Sequence, residues 1–234
     1  MTRFWRFFCK TLALAVVTLL SLSCFGATQV RAFEMSVDMN ALIYQTQKAS
    51  RAMDDVLLAW WVPQELWLMF LSRTPGVDKA KRQEYLAVMD PYMVFLVVDG
   101  QIQGDGTALF RNREELIKTL GLEDKEGNTY QTLEEAKISQ EAKDFLSKVF
   151  PFFARNLGPL GANLHYAIFS SRDKSGKPIA NAFQDSTFVL HMQRRSFRWR
   201  TPLGALVPPK RCPETGEELD GSWKYNPWSG VKLD

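Results

Sequence analysis

The chain has 234 residues, 46% of them hydrophobic, 12% aromatic and 24% charged, with a formal net charge of +3 and three cysteines. The ordinary apolar fraction excludes long disorder, and so few cysteines in this length exclude a disulfide scaffold. A single apolar stretch, near the N-terminus, excludes a multi-span membrane protein. The length suits one domain, or one domain with a small appendage.

Residues 1–32 have the layout of a secretory signal: Arg3, Arg6 and Lys10, an apolar run from Thr11 to Ala27, then a polar stretch ending Val30-Arg31-Ala32. The segment holds no acid, and short side chains at Val30 and Ala32 place signal-peptidase cleavage after Ala32. The mature chain then starts at Phe33 and is periplasmic or secreted. Two rival readings stand beside this one. Leu20-Ser21-Leu22-Ser23-Cys24 resembles a bacterial lipobox, which implies lipidation of Cys24. Alternatively, the 17-residue run from Thr11 to Ala27 stays as an uncleaved anchor, near the lower limit of a ~20-residue span. Cleavage removes four cations and no acid, so Lys+Arg falls from 29 to 25 against 26 acids and the net charge becomes −1. A near-neutral domain has no global field to favour nucleic acid or an anionic membrane. Cys9 and Cys24 also leave, and Cys212 remains alone.

In the mature chain Leu42, Ala49, Met53, Val56 and Trp60 recur at helical spacing, which predicts one long amphipathic helix from Asp38 to Trp61. Pro63 then starts a second helix with Gln64 and Glu65 in its first turn. Its run Leu66-Trp67-Leu68-Met69-Phe70-Leu71 is apolar all round, so it is either buried or docked on something else. Asp78 caps a third helix that ends before Pro91. Tyr92 to Val98 reads as a strand covered on both faces, with Asp99-Gly100 as a two-residue hairpin turn and Thr107 to Phe110 continuing the meander. Asn112 and Glu115 cap a short helix ending near Gly121. Asp124 to Gly127 and Asp173 to Gly176 are turns. Ser139 opens a helix bent or broken at Pro151. Three strands follow, Leu164 to Ser170, Thr187 to His191 and Phe197 to Thr201. Helices first and strands later predict an α+β domain from Phe33 to Val207, with N-terminal helices packed on a mainly antiparallel sheet.

Residues 208–234 differ in composition, with four prolines and three glycines and no helical period. Cys212-Pro-Glu-Thr-Gly216 and Asn226-Pro-Trp-Ser-Gly230 are two copies of one x-Pro-x-x-Gly pattern. The tail resembles a zinc ribbon of the Cys-Pro-x-Cys-Gly type, in which two knuckles each give two thiolates to one metal. That resemblance implies a ribbon shape with Cys212, Thr215, Asn226 and Ser229 at the ligand positions. Only Cys212 is a thiol, so a degenerate, metal-free appendage follows, with no cofactor. Trp223, Tyr225 and Trp228 are expected to dock it on the main domain. The Pro63-to-Trp67 helix start, the strand ending at Asp99-Gly100, the Gly158-Pro-Leu-Gly161 segment and the tail together resemble a group of exported bacterial proteins of uncharacterised function.

Chemistry-bearing patterns are sparse. His165 and His191, both on predicted strands, offer at most two ligands to a metal. Cys212 has no visible base, and there is no Gly-x-Ser-x-Gly elbow, Walker loop or His-Glu-x-x-His. Asp99 to Gly106 lacks the alternating carboxylates of a calcium loop. Around Arg194 and Arg195, the stretch Phe197-Arg198-Trp199-Arg200 alternates, so Arg198 and Arg200 face water while the aromatics face inward. The segment from Trp60 to Leu71, with Trp60, Trp61, Trp67 and Phe70, is either core or a surface left open for a partner. These features favour a non-catalytic binding module of the cell envelope, its partner an unspecified envelope protein or surface. The candidate surfaces are Trp60, Trp61, Trp67 and Phe70, the Arg198 and Arg200 strand, and the tail. A periplasmic enzyme using carboxylates is the alternative.

Overall fold

The computed structural model describes residues 37–233 apart from 51 and 194, and the unit Asp38–Asp234 is taken by itself. The signal-peptide reading, Cys24 and Arg194 lie outside the described residues. In chain order the elements are α1 (Met39–Thr46), β1 (Gln47–Ala49), β2 (Asp55–Val62), α2 (Gln64–Ser72), α3 (Lys79–Met89), β3 (Tyr92–Ile102), β4 (Ala108–Phe110) and α4 (Arg113–Thr119). They continue with β5 (Leu120–Glu123), β6 (Thr129–Gln131), α5 (Gln140–Asn156), β7 (His165–Ser170), β8 (Ser186–Met192) and β9 (Arg195–Thr201). The tail carries β10 (Lys210–Arg211) and β11 (Glu218–Leu219).

One antiparallel sheet runs β1-β2-β3, with β4 and β7 pairing different stretches of β3; a second runs β6-β5-β8-β9, also antiparallel. The domain is mixed helix and antiparallel sheet, as an α+β reading requires.

The predicted long helix from Asp38 to Trp61 is corrected: α1 stops at Thr46 and the remainder forms β1 and β2. A helical period and a two-sided strand coincide over so short an apolar run, and pairing with β3 decides for the strand. Val56 to Val62 pairs with β3 along its whole length, and residues 58–60 also pair with β1 on the other edge, which engages backbone polar groups of a largely buried segment. Neighbouring residues on a strand face opposite ways. Trp60 therefore meets Phe153 of α5 at 5.2 Å, while Trp61 meets Phe188 of β8 at 4.8 Å. Phe95, opposite Trp61 in the register, reaches Trp199 at 5.4 Å. The result is three layers: α2 and α5 on one face of the first sheet, the second sheet on the other.

Thr46 joins them. Its hydroxyl accepts from the Trp60 indole N–H at 3.1 Å, and its carbonyl accepts from the Trp199 indole N–H at 2.8 Å. All three residues are buried, so both indole donors are satisfied where an orphan would be costly.

Local signals hold at the helix starts. Asp78, Asn112 and Ser139 accept backbone N–H groups of Lys81, Glu115 and Ala142 respectively. One turn is misplaced. Asp99 and Gly100 lie inside β3, and the chain turns at 103–106, where Gly106 takes φ +84° and donates to the Gln103 carbonyl. Of the bend or break expected at Pro151, the break is absent: α5 continues to Asn156. No helix among the described residues is long and apolar enough to cross a membrane.

Candidate functional site

Most of the surface predicted at Trp60 to Leu71 is core. Trp60, Trp61 and Trp67 are only 6%, 4% and 2% exposed, because β2 is covered on both faces and Trp67 sits edge-on against Phe145 and Phe153. Of the four aromatics, Phe70 alone keeps contact with the surface, stacked obliquely on Phe152 at 4.7 Å. On β9 the alternation holds: Phe197 and Trp199 are buried, Arg198 and Arg200 exposed. Arg195 bonds Asp55 Oδ2 at 2.6 Å and ties the two sheets together at their edge. His165 and His191 do not face each other, since β7 and β8 belong to different sheets. His191 is held by Glu123 and Ser196, each at 2.8 Å, and burial lowers the pKa of His165. Among the described residues no three His, Cys, Asp or Glu side chains gather as a metal site.

Phe70 lies in a groove of about 490 Å³ between α2, the loop after it, α3 and α5. Its apolar lining includes Val77, Tyr85, Phe145, Val149 and Phe152. Phe145 and Val149 are buried, whereas Phe152 is 43% exposed. Adjacent positions on a helix point about 100° apart; Phe153 takes the core side against Trp60 and Trp67, which leaves Phe152 to wall the groove. The charged residues of the lining are Arg73 and Lys148, both cations and both exposed. Arg73 donates to Met39 Sδ, and neither side chain has an acidic partner among the described residues. Sequence reasoning named Phe70 here and missed the rest; the available signal was the Phe152-Phe153 doublet, which a one-sided helix cannot bury whole.

A second, smaller cleft of about 230 Å³ opens where α2 begins and is closed on its far side by the stretch 178–183. Glu65 lines it, and burial raises its carboxyl above the usual range, with its own backbone N–H pulling the other way. Asp90 and Arg172, paired at 3.1 Å, also line this cleft.

The tail encloses a small core of Cys212, Leu219 and Leu233, against which Trp223 packs. Tyr225 and Trp228 are 59% and 73% exposed, so the expected docking of these two on the main domain is corrected; Trp228 instead meets Trp223 at 5.8 Å. The two x-Pro-x-x-Gly turns close alike. Gly216 N–H donates to the Cys212 carbonyl and Gly230 N–H to that of Asn226, both at 2.8 Å, with φ of +72° and +73° at the two glycines. Asn226 Oδ1 accepts from the N–H groups of Trp228 and Ser229, and its Nδ2 donates to Cys212 Sγ at 3.3 Å. Hydrogen bonds from the Thr215 hydroxyl and the Asn226 amide lower the Cys212 pKa to about 7, against the push of burial. Three of the four predicted ligand positions thus converge through hydrogen bonds, and Ser229 joins through its backbone.

Comparison with known proteins returned no matching family model, no matching curated protein and no matching solved structure.

Proposed function

We propose that this chain is an exported, non-catalytic binding module of the cell envelope, and that its binding site is the apolar groove walled by Phe70 and Phe152. One observation carries the reading: a concave apolar groove of about 490 Å³, within the range of small-ligand sites, in a domain whose other large aromatics at β2 and α2 are buried. Export rests on the signal layout of residues 1–32, and attachment to a membrane runs only through that segment, by lipidation at Cys24 or retention of the apolar run.

The test uses the chain as its host processes it. N-terminal sequencing is expected to give Phe33, and Nile red, an uncharged apolar dye, is expected to bind one per chain and to be released by Phe152→Ser. A protein that stays folded and takes up no dye refutes the groove.

Glu65 favours a second reading, a periplasmic enzyme. A carboxyl held above its usual range keeps its proton closer to neutrality and suits a general acid. The weakness is the partner base: Asp90, the other carboxylate of the cleft, is committed to Arg172. The binding reading is therefore preferred.

We read the tail as a degenerate ribbon in which the Asn226 amide takes over the closing role of a metal. Stoichiometric zinc in the purified protein, measured by elemental analysis, would overturn this.

A further inference from the structure

We infer that the groove takes a single acyl chain carrying an anionic headgroup; this rests on the groove being the binding site. Three features select that class. The floor and walls are hydrocarbon, with Phe145 and Leu71 buried beneath and Val77, Tyr85 and Phe152 around them. The volume fits one chain: with a methylene taken as about the size of a liquid water, ~30 Å³, the groove of about 490 Å³ holds roughly sixteen heavy atoms. A second acyl chain of the same length would need about twice that volume.

The third feature is charge. Arg73 lies beyond the C-terminal end of α2, and Lys148 projects from α5. Both line the groove, no acid lines it with them, and neither has an ion-pair partner among the described residues. A cationic amphiphile would place its charge beside two like charges, whereas a carboxylate or phosphate head complements both. Arg73 is pre-positioned by its contact with Met39 Sδ, on the residue that opens α1. The guanidinium is suited to a planar two-oxygen acceptor. The occupant therefore lies with its tail over Phe145 and Val149 and its head between the two cations.

The experiment is isothermal titration of the processed chain with dodecanoate, dodecyl maltoside and dodecyltrimethylammonium, all below their micelle concentrations, followed by fatty acids of increasing length. Dodecanoate is expected to bind one per chain, more tightly than either other head. Each added methylene should tighten binding up to about fourfold until the groove is full. The double variant Arg73→Gln, Lys148→Gln should weaken dodecanoate roughly three- to tenfold and leave dodecyl maltoside unchanged, and added salt should act in the same direction. Equal affinity for dodecanoate and maltoside, indifferent to the double variant, overturns the anionic class while the groove reading survives. Tighter binding of the ammonium head overturns it as well. Failure of all three amphiphiles and of Nile red, with unchanged circular dichroism, overturns the groove itself and this inference with it.

Discussion

Replacing Thr46 by valine preserves shape and removes one hydroxyl. In the native protein that hydroxyl accepts the Trp60 indole N–H and donates back to the Leu42 and Ile43 carbonyls. The Ile43 carbonyl keeps the Gln47 N–H at the end of α1, so the principal orphan is the Trp60 donor, in a residue only 6% exposed. A buried donor left without a partner costs about 1–3 kcal/mol. Trp199 still reaches the Thr46 carbonyl, which confines the damage to one bond. With a urea m-value of about 2 kcal/mol/M, the unfolding midpoint should fall by about 0.5–1.5 M, read by far-ultraviolet circular dichroism. Thr46→Ser keeps the acceptor and loses one methyl, and should cost about 1 kcal/mol. Trp60→Phe removes the donor, so the two changes should couple by about 0.5–2 kcal/mol in a double-mutant cycle. A valine variant as stable as the native protein, or strictly additive behaviour in the cycle, refutes the account of Thr46 as the polar node between layers.

Other consequences are equally direct. Because burial raises the Glu65 carboxyl above 4.5, the folded state holds a proton that the unfolded chain has released. That contribution to stability is full below the ordinary carboxylate range and drains as pH rises through the folded value. Glu65→Gln should therefore gain on the native protein in Tm as pH rises from about 4 to 7; a gap independent of pH would contradict this. A Cβ at Gly161 would run into the Ala154 carbonyl at the end of α5, so Gly161→Ala should cost about 1–3 kcal/mol and lower Tm by several degrees in a scanning calorimeter. Asn226→Ala removes the acceptor for two N–H groups and the donor to Cys212. It should speed Cys212 labelling by a thiol reagent about five- to thirtyfold, and a chelator should leave the native labelling rate unchanged.

Much of the fold was legible wherever a local signal had no competitor. The caps at Asp78, Asn112 and Ser139 and the strand from Tyr92 each depend on chemistry within a few residues. β2 was illegible because its pattern is resolved only by its partner: Leu57 to Val62 becomes a strand through pairing with β3, and the sequence of 56–62 contains no record of that pairing. Asp99-Gly100 was misread for the same reason, since a long β3 absorbs a dipeptide that elsewhere turns. At the candidate site the cations were the hidden part. Arg73 and Lys148 stand 75 positions apart in sequence and meet one groove only because α2 and α5 lie together over β2. The aromatic half was closer to hand, since Phe152 beside Phe153 already implied one ring too many for the core.

The two closed turns of the tail have a further consequence for how that segment holds together. A coordinated metal makes stability depend on pH and on metal supply, because its ligands must be deprotonated and the ion must be present. A closure made from an amide, a hydroxyl and a thiol is complete when the polypeptide is complete. Its strength is modest, with each hydrogen bond contributing a net ~1 kcal/mol, and the core it encloses is small. What pH dependence it keeps comes from the thiol: its hydrogen bonds hold Cys212 at about 7, so the closure gains strength as pH rises through that value toward the ordinary thiol range.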